Sequence, residues 1–152
     1  MGLDIDNTGK IIGTELPNIE YMKVYDFYYR YKGKGDKKQV YRPELMRKFV
    51  SPEFSGERLF PTCYKYYQVD LDYDMIVLNE PLCVVEYMPD GFTSNILKSY
   101  KNNLNSYIFY RRFILEYPNA TLTHKFRFAV HYVAECLLNH ERKWLASVSS
   151  KG

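Results

Sequence analysis

The sequence has few of the features that mark a disulfide-linked, secreted or membrane-spanning protein. The three cysteines, Cys63, Cys83 and Cys136, are far apart and form no C-x-x-C pair, so we expect free thiols in a reducing compartment. No apolar run approaches the roughly 20 residues that a membrane-spanning helix needs. The segment from Met1 to Asp6 is acidic and polar, unlike a signal peptide. These absences predict a cytoplasmic protein.

What the sequence does have is a globular composition with an excess of tyrosine. Hydrophobic residues make up 46% of the 152 residues, which is enough for the core of one ordinary domain. The net charge of +3 is too small to indicate a nucleic-acid partner, and we expect none. Sixteen tyrosines fit half-buried faces, a sugar-contacting cleft or a large interface, and composition does not separate these uses.

Hydrophobic periodicity and breaker residues predict a mixed α/β chain with its strands early and two long helices late. The predicted strands are a hairpin over residues 3–13, a short strand over 38–42, and two strands, 75–79 and 82–87, joined by a tight turn. The predicted helices are 19–31, 43–50, 58–67, 94–117 and 122–146. The strands are few for a self-contained sheet, which indicates part of a larger fold.

The pair Glu57-Arg58 follows a glycine-containing loop over residues 52–56 and is the best candidate for a functional site. A carboxylate can take the proton of a sugar hydroxyl that lies within hydrogen-bond reach. A neighbouring arginine can stabilise the charge of a departing phosphate. The alternative is that Glu57 simply begins the helix predicted over 58–67, because the helix dipole favours an acid there.

Several segments, in order, resemble one bacterial branch of the family-two glycosyltransferases, which have the GT-A fold. That branch has Tyr-Arg after a strand, then Pro-x-Phe-x-Gly-Glu-(Lys/Arg)-Phe-x-Pro, then Asn-Glu-Pro-Leu, then Glu-Tyr-x-x-Asp-Gly-x-(Thr/Ser)-x-Asn. The matching segments here are Val40-Tyr41-Arg42, Pro52 to Pro61, Asn79 to Leu82, and Glu86 to Asn95. The order and spacing agree over most of residues 5–117.

This resemblance implies an enzyme of polysaccharide biosynthesis that acts with inversion. It would transfer a sugar from a nucleotide-diphosphate sugar to a glycan or a lipid-linked acceptor. Glu57 stands where such enzymes have the catalytic base. The residues implied to bind substrate are Arg42 and Arg58, which would face the cleft, and Tyr87, Asp90, Gly91 and Thr93, which fall in the loop that covers the donor phosphates.

Two positions depart from the family's pattern and leave the base open. The motif commonly pairs two acidic residues, whereas Arg58 follows Glu57 here. Thr62 stands where a further acidic residue is expected after the proline. Asp90 or Glu53 are therefore alternative bases.

The front of the family's pattern, a nucleotide-cradling strand and an Asp-x-Asp metal motif, is not found in this sequence. Asp4-Ile5-Asp6 has the metal-binding spacing, but we interpret it as the edge of a hairpin. We therefore expect a partial GT-A-like mixed sheet with flanking helices over residues 1–93, followed by a helical hairpin over 94–152. The Mg or Mn ion of the full-length enzyme would be held outside this chain, and the chain alone is expected to be inactive.

Other interpretations stay open beside the enzyme. A non-catalytic interaction or dimerisation module is the main alternative, and self-association is expected in either case. Arg111-Arg112 lie among aromatic residues that could stack on single-stranded nucleic acid or form a helix core. His131 and Glu135 have a zinc-binding spacing, although a solvated polar helix face is favoured. Lys125, Arg127 and the Arg142-Lys143-Trp144 segment could rest on the inner face of an anionic membrane.

Overall fold

The computed structural model describes residues 1–88 and 96–140. The predicted mixed α/β class is confirmed for these residues, which form small sheets and six helices. The strands are β1 (Gly2–Ile5), β2 (Tyr21–Met22), β3 (Lys37–Lys38), β4 (Met75–Ile76) and β5 (Pro81–Val84). The helices are α1 (Val24–Tyr29), α2 (Pro43–Lys48), α3 (Cys63–Asp72), α4 (Ile96–Asn102), α5 (Leu104–Glu116) and α6 (Leu122–Leu138).

The chain divides into two compact units. The first unit comprises Met1–Val50 and Lys65–Pro89, and the second comprises Ser51–Tyr64 and Asp90–Gly152. The loop that carries Glu57 and Arg58 therefore belongs with the C-terminal helices. The chain thus enters the second unit, returns to the first and then leaves it again.

The first unit contains both small sheets. In one, the order is β3-β1-β5, with β1 antiparallel to β3 and parallel to β5. In the other, β2 pairs antiparallel with β4. Leu3 is buried on β1, and Pro81 begins β5 at a sheet edge, where a residue without an N–H group is tolerated.

Helix α1 supplies much of the core of the first unit. Val24, Tyr25 and Phe27 are almost completely buried, and the ring of Tyr25 meets that of Tyr67 edge-on at 5.4 Å. At the start of this helix the side chain of the N-cap residue makes no cap hydrogen bond. Instead, the buried carboxylate of Asp70 accepts hydrogen bonds from the backbone N–H groups of Val24 and Tyr25, at 3.1 and 2.7 Å.

The second unit is built around an α5–α6 helical hairpin, as predicted. Helix α6 begins at a conventional cap, because the Thr121 side chain accepts a hydrogen bond from the His124 backbone N–H. Tyr107, Tyr110 and Ile114 on α5 are buried. On α6 the buried side chains are those of His124, Phe128, Tyr132, Glu135 and Cys136.

Several predicted elements differ from the structure. The strands predicted at 75–79 and 82–87 do not pair with each other, since β4 pairs with β2 and β5 with β1. The helix predicted over 58–67 is instead α3, which begins at Cys63 after Pro61, and Glu57 lies in the loop before it. The helix predicted over 94–117 is interrupted at Asn103, between α4 and α5.

Candidate functional site

The Glu57-Arg58 loop forms a tight turn. Gly56 has φ of +80°, which favours glycine, and the Glu57 backbone N–H donates to the Phe54 carbonyl at 3.1 Å. A Cβ at position 56 would meet no atom within 4 Å, so backbone conformation rather than space selects glycine. The turn sets the position from which the Glu57 side chain extends.

The Glu57 carboxylate lies at the N-terminus of α5 and accepts four hydrogen bonds. Oε1 accepts from the backbone N–H of Asn105 at 2.7 Å and from its Nδ2 at 2.9 Å. Oε2 accepts from the backbone N–H of Ser106 at 2.8 Å and from its Oγ at 2.5 Å. A carboxylate has about four acceptor positions. Glu57 therefore caps α5 from a distant loop, and the helix dipole favours its charge.

Asn103 completes the attachment of the loop to the helix. Its Oδ1 accepts hydrogen bonds from the backbone N–H groups of Arg58 and Leu59, at 2.9 and 3.0 Å, and its Nδ2 donates to the Ser99 carbonyl at 2.8 Å. The loop thus caps the helix through Glu57, and Asn103 at the start of the helix accepts hydrogen bonds from the loop backbone. The side chain of Arg58 belongs to an exposed residue beside this fixed backbone.

An aromatic cluster lies around the same loop in the second unit. Tyr64 meets Phe109 edge-on at 5.7 Å and Phe113 at 4.8 Å, and Phe60 meets Tyr64 at 5.2 Å. Phe54 also approaches Phe109, at 6.2 Å. Edge-to-face aromatic pairs of this kind stabilise a packed surface. The residues that flank Glu57 in the motif therefore anchor the loop by their rings.

Tyr87 and Arg42, also predicted to bind substrate, lie in the first unit. The Tyr87 hydroxyl donates to Asp36 Oδ2 at 2.6 Å, and this hydrogen bond is the main cause that raises the pKa of Tyr87 to about 12. Arg42 is exposed at the N-cap position of α2, and Pro43 occupies the first helical position as predicted. Asp36 was not expected from the sequence.

Asp4 and Asp6, which have the spacing of a metal motif, do different things. Asp6 forms a local turn, accepting from the backbone N–H groups of Thr8 and Lys10 and from the Thr8 hydroxyl. Asp4 is buried in β1, and burial is the main cause that raises the pKa of its carboxyl. Its Oδ1 has no hydrogen-bond partner within the part of the chain that the structure describes. Ile5 forms an antiparallel bridge to Ile11, in agreement with the predicted hairpin turn.

The predicted substrate residues Asp90, Gly91 and Thr93 lie outside the described residues. Of the alternative bases, Asp90 lies there too, whereas Glu53 is exposed. Within residues 1–88 and 96–140, no group of three or more His, Cys, Asp or Glu side chains is placed to hold a metal ion. Cys63, Cys83 and Cys136 form no disulfide, and burial raises the pKa of the Cys63 thiol, which donates to the Tyr110 hydroxyl.

His131 and Glu135 were predicted to lie on a solvated polar face of α6, and that prediction is wrong for Glu135. Glu135 is buried and pairs with the buried Arg111 of α5, with Nη2 to Oε1 at 3.2 Å. The Arg111 guanidinium also lies 4.6 Å from the centre of the Phe128 ring. His124 is buried on the same face, and desolvation lowers its pKa to about 4. Of the two residues with zinc-binding spacing, Glu135 is thus part of a buried ion pair, whereas His131 is half-buried.

Sequence reasoning missed the polar residues that hold Glu57. Asn103, Asn105 and Ser106 stood inside a helix predicted to be continuous over 94–117. Asn and Ser are typical of helix N-termini, so their clustering within that helix was the signal of a new start. Asp70 gave no comparable signal, because its contacts are made with residues about 45 positions earlier in the chain.

Comparisons with protein-family models, with curated proteins and with solved structures gave no match to this chain. No helix among the described residues is both long and apolar enough to cross a membrane. The candidate site is therefore defined by two observations. One is the geometry of a single loop, in which the Glu57 carboxylate caps α5 and Arg58 is exposed. The other is the order of the motifs in the sequence.

Proposed function

We propose that this chain is the acceptor-side part of an inverting, family-two-like bacterial glycosyltransferase with a GT-A fold. It would act in the cytoplasm, at the inner face of the membrane, on a glycan or lipid-linked acceptor. The observation that carries the proposal is the order and spacing of the motif segments, from Val40-Tyr41-Arg42 to Glu86-Tyr87 and the residues beyond. The nucleotide-cradling strand and the Asp-x-Asp motif would lie outside these 152 residues.

The hydrogen bonds of the Glu57 carboxylate are compatible with a catalytic base whose orientation is fixed but whose oxygens can exchange some of their partners. Two of the four donors to the Glu57 carboxylate are backbone N–H groups, which fix its orientation. The other two, Asn105 Nδ2 and Ser106 Oγ, belong to side chains that can rotate away. An acceptor hydroxyl could take the place of either one and then give its proton to the carboxylate as its oxygen attacks the anomeric carbon.

Arg58 and a metal ion would have complementary roles at the leaving group. Arg58 follows Glu57 directly, and its exposed guanidinium is free to pair with a diphosphate oxygen. A Mg or Mn ion, bound by residues outside this chain, would supply the main stabilisation of the leaving diphosphate. Arg42 and Tyr87 are also proposed to bind the donor.

The test is a Glu57→Gln substitution in a polypeptide that carries a nucleotide-binding half in front of residue 1. We expect transfer to fall by about 100-fold or more, the range for loss of a general base, while donor affinity is unchanged. Radiolabelled sugar transfer and donor-binding calorimetry measure the two quantities. If the coding sequence upstream encodes no nucleotide-binding half in frame, the proposed function is wrong. If the variant retains turnover, Glu57 is not the catalytic base.

A matched control separates the base from the helix cap. Ser106→Ala removes one hydrogen bond to the Glu57 carboxylate without removing the carboxylate itself. We expect this variant to lose about 1 kcal/mol of unfolding free energy but to keep most of its transfer activity. Equal losses of activity in both variants would assign Glu57 a capping role only.

A non-catalytic interaction or dimerisation module remains the second candidate. The observation that favours it is the set of large apolar side chains exposed on α6, among them Leu122 and Phe126. Such a module would keep its function in the Glu57→Gln variant. Self-association is proposed under both functions.

A further inference from the structure

Helix α6 has an apolar face that points outward, in addition to the side that is buried in the core. Leu122, Phe126, Val130 and Leu137 are 86%, 74%, 57% and 61% exposed. Their spacings of four, four and seven residues place them on one side of the helix. The opposite side, which carries the ion-paired Glu135, packs against α5. The buried side also carries the apolar residues Phe128 and Tyr132, so α6 is apolar on two sides, and its exposed apolar face calls for a covering partner.

The end of the chain that contains α6 also carries the net positive charge. Residues 117–152 contain five Lys or Arg and two Glu, whereas residues 1–116 contain sixteen cationic and sixteen acidic residues. The formal charge of +3 therefore resides entirely in this last stretch. Of its two acids, Glu135 is buried against Arg111 and does not oppose an external anion. An acidic partner surface complements this charge.

The size of the exposed face argues against a second copy as the main occupant. The four side chains together expose on the order of 500 Å², taking about 150–200 Å² for each large apolar side chain. A standard protein–protein interface buries about 800 Å² on each partner. A lipid surface needs no complementary shape and only has to accept the apolar ridge.

We propose that the exposed face of α6 inserts into the headgroup boundary of an anionic lipid bilayer, with the helix axis in the plane of the surface. Phe126 and Val130, at the middle of the face, enter the acyl boundary. Arg127, which is exposed on the same helix, binds lipid phosphates. This attachment does not depend on sugar transfer.

The test is flotation of the purified chain with lipid vesicles. We expect binding to vesicles of phosphatidylcholine with phosphatidylglycerol, weakening as salt is raised, and little binding to phosphatidylcholine alone. The double substitution Phe126→Ser and Val130→Ser should lower the partition coefficient on anionic vesicles about tenfold or more, since two apolar contacts with lipid are lost.

A matched control removes apolar surface elsewhere. Val40 and Val50 are 71% and 76% exposed in the first unit, so Val40→Ser with Val50→Ser should leave vesicle binding unchanged. Arg127→Glu provides a second test that alters no apolar contact, and it should weaken binding to anionic vesicles only. Thermal unfolding by circular dichroism checks that each variant folds.

Three results would overturn the proposal. One is equal binding of the wild-type chain and the Phe126→Ser, Val130→Ser variant to anionic vesicles. Another is binding of Arg127→Glu to anionic vesicles that equals that of the wild-type chain. This second result is sufficient by itself if the double variant does not fold. The third is a concentration-dependent dimer in sedimentation velocity, abolished by the double variant and without vesicle binding, which would assign the face to a second copy.

Discussion

At the scale of single residues, carboxylates remote in sequence replace the usual helix caps. Neither the N-cap residue of α1 nor that of α5 caps its own helix with a side chain. Asp70 caps α1 and Glu57 caps α5. The two carboxylates differ in environment, because Asp70 is completely buried whereas Glu57 is partly exposed.

The burial of Asp70 makes the stability of the first unit depend on pH. Desolvation raises its pKa to about 6, against an ordinary value of 3.8, although the Tyr25 and Val24 N–H groups and Lys23 act in the opposite direction. Between these values the folded state binds more protons than the unfolded state, so stability falls as pH rises. We expect a loss of up to about 3 kcal/mol across the window.

Urea unfolding of the wild type and of Asp70→Asn, over pH values that bracket this window, measures the effect. Asparagine does not titrate, so the difference in unfolding free energy between the two proteins should change with pH. A difference that is constant with pH would contradict the raised pKa. Asp72→Asn, at an exposed position on the same helix, is the control and should follow the wild type.

The sequence indicated which acid on the loop matters, but not its contacts. Gly56 and the motif around it singled out Glu57, and that residue does hold the loop to the N-terminus of α5. The donors lie 48 and 49 residues later in the chain, beyond the reach of any local pattern. For the same reason, the hydrogen bond between Tyr87 and Asp36 was not foreseen.

At the scale of elements, Asn103 decides both where α5 begins and how the Glu57 loop is held. Asn103→Ala would leave the backbone N–H groups of Arg58 and Leu59 without their acceptor. We expect a loss of about 2–3 kcal/mol in unfolding free energy. Because the loop is released, trypsin should also cleave faster after the exposed Arg58.

Limited proteolysis and urea unfolding measure these two effects on Asn103→Ala. The control is Asn102→Ala, since Asn102 is the exposed neighbour of Asn103. Its cleavage rate and stability should match those of the wild type. If trypsin cleaved Asn103→Ala at the same rate as the wild type, the loop would be held by other contacts.

Helix positions were predicted better than their partners. The periodic patterns located α1, α2 and α6, and the Pro43 rule placed the start of α2 correctly. On α6, Glu135 was expected on a solvated polar face, but it is buried. Burial of Glu135 depends on its ion pair with Arg111 of α5, which no helical-face rule connects to it. Strand pairing failed similarly, because β1 and β5 are far apart in sequence.

At the scale of the whole molecule, the two units should respond to acid in opposite ways. In the second unit, desolvation, helped by Arg127 and Arg111, lowers the pKa of His124 to about 4 from an ordinary 6.5. Between these values the unfolded state binds more protons, so stability is lost as pH falls, by up to about 3 kcal/mol. Over an overlapping range, Asp70 stabilises the first unit as pH falls.

Hydrogen exchange with mass spectrometry can follow both units in one experiment. After correction for intrinsic exchange rates, acid should raise protection in α1 and lower it in α6. His124→Gln should remove the acid-induced loss in α6 and leave α1 unaffected. Parallel changes in both helices would show that the chain opens as a single cooperative unit.

The two remote caps also set an order of events for a chain made from its N-terminus. Helix α1 is synthesised before Asp70, which lies 45 residues beyond Tyr25, so we expect a nascent α1 to stay uncapped until α3 is complete. Helix α5 has the reverse history, because Glu57 precedes Ser106 by 49 residues. Glu57 has already been synthesised when the first turn of α5 leaves the ribosome, so α5 can be capped as soon as it forms.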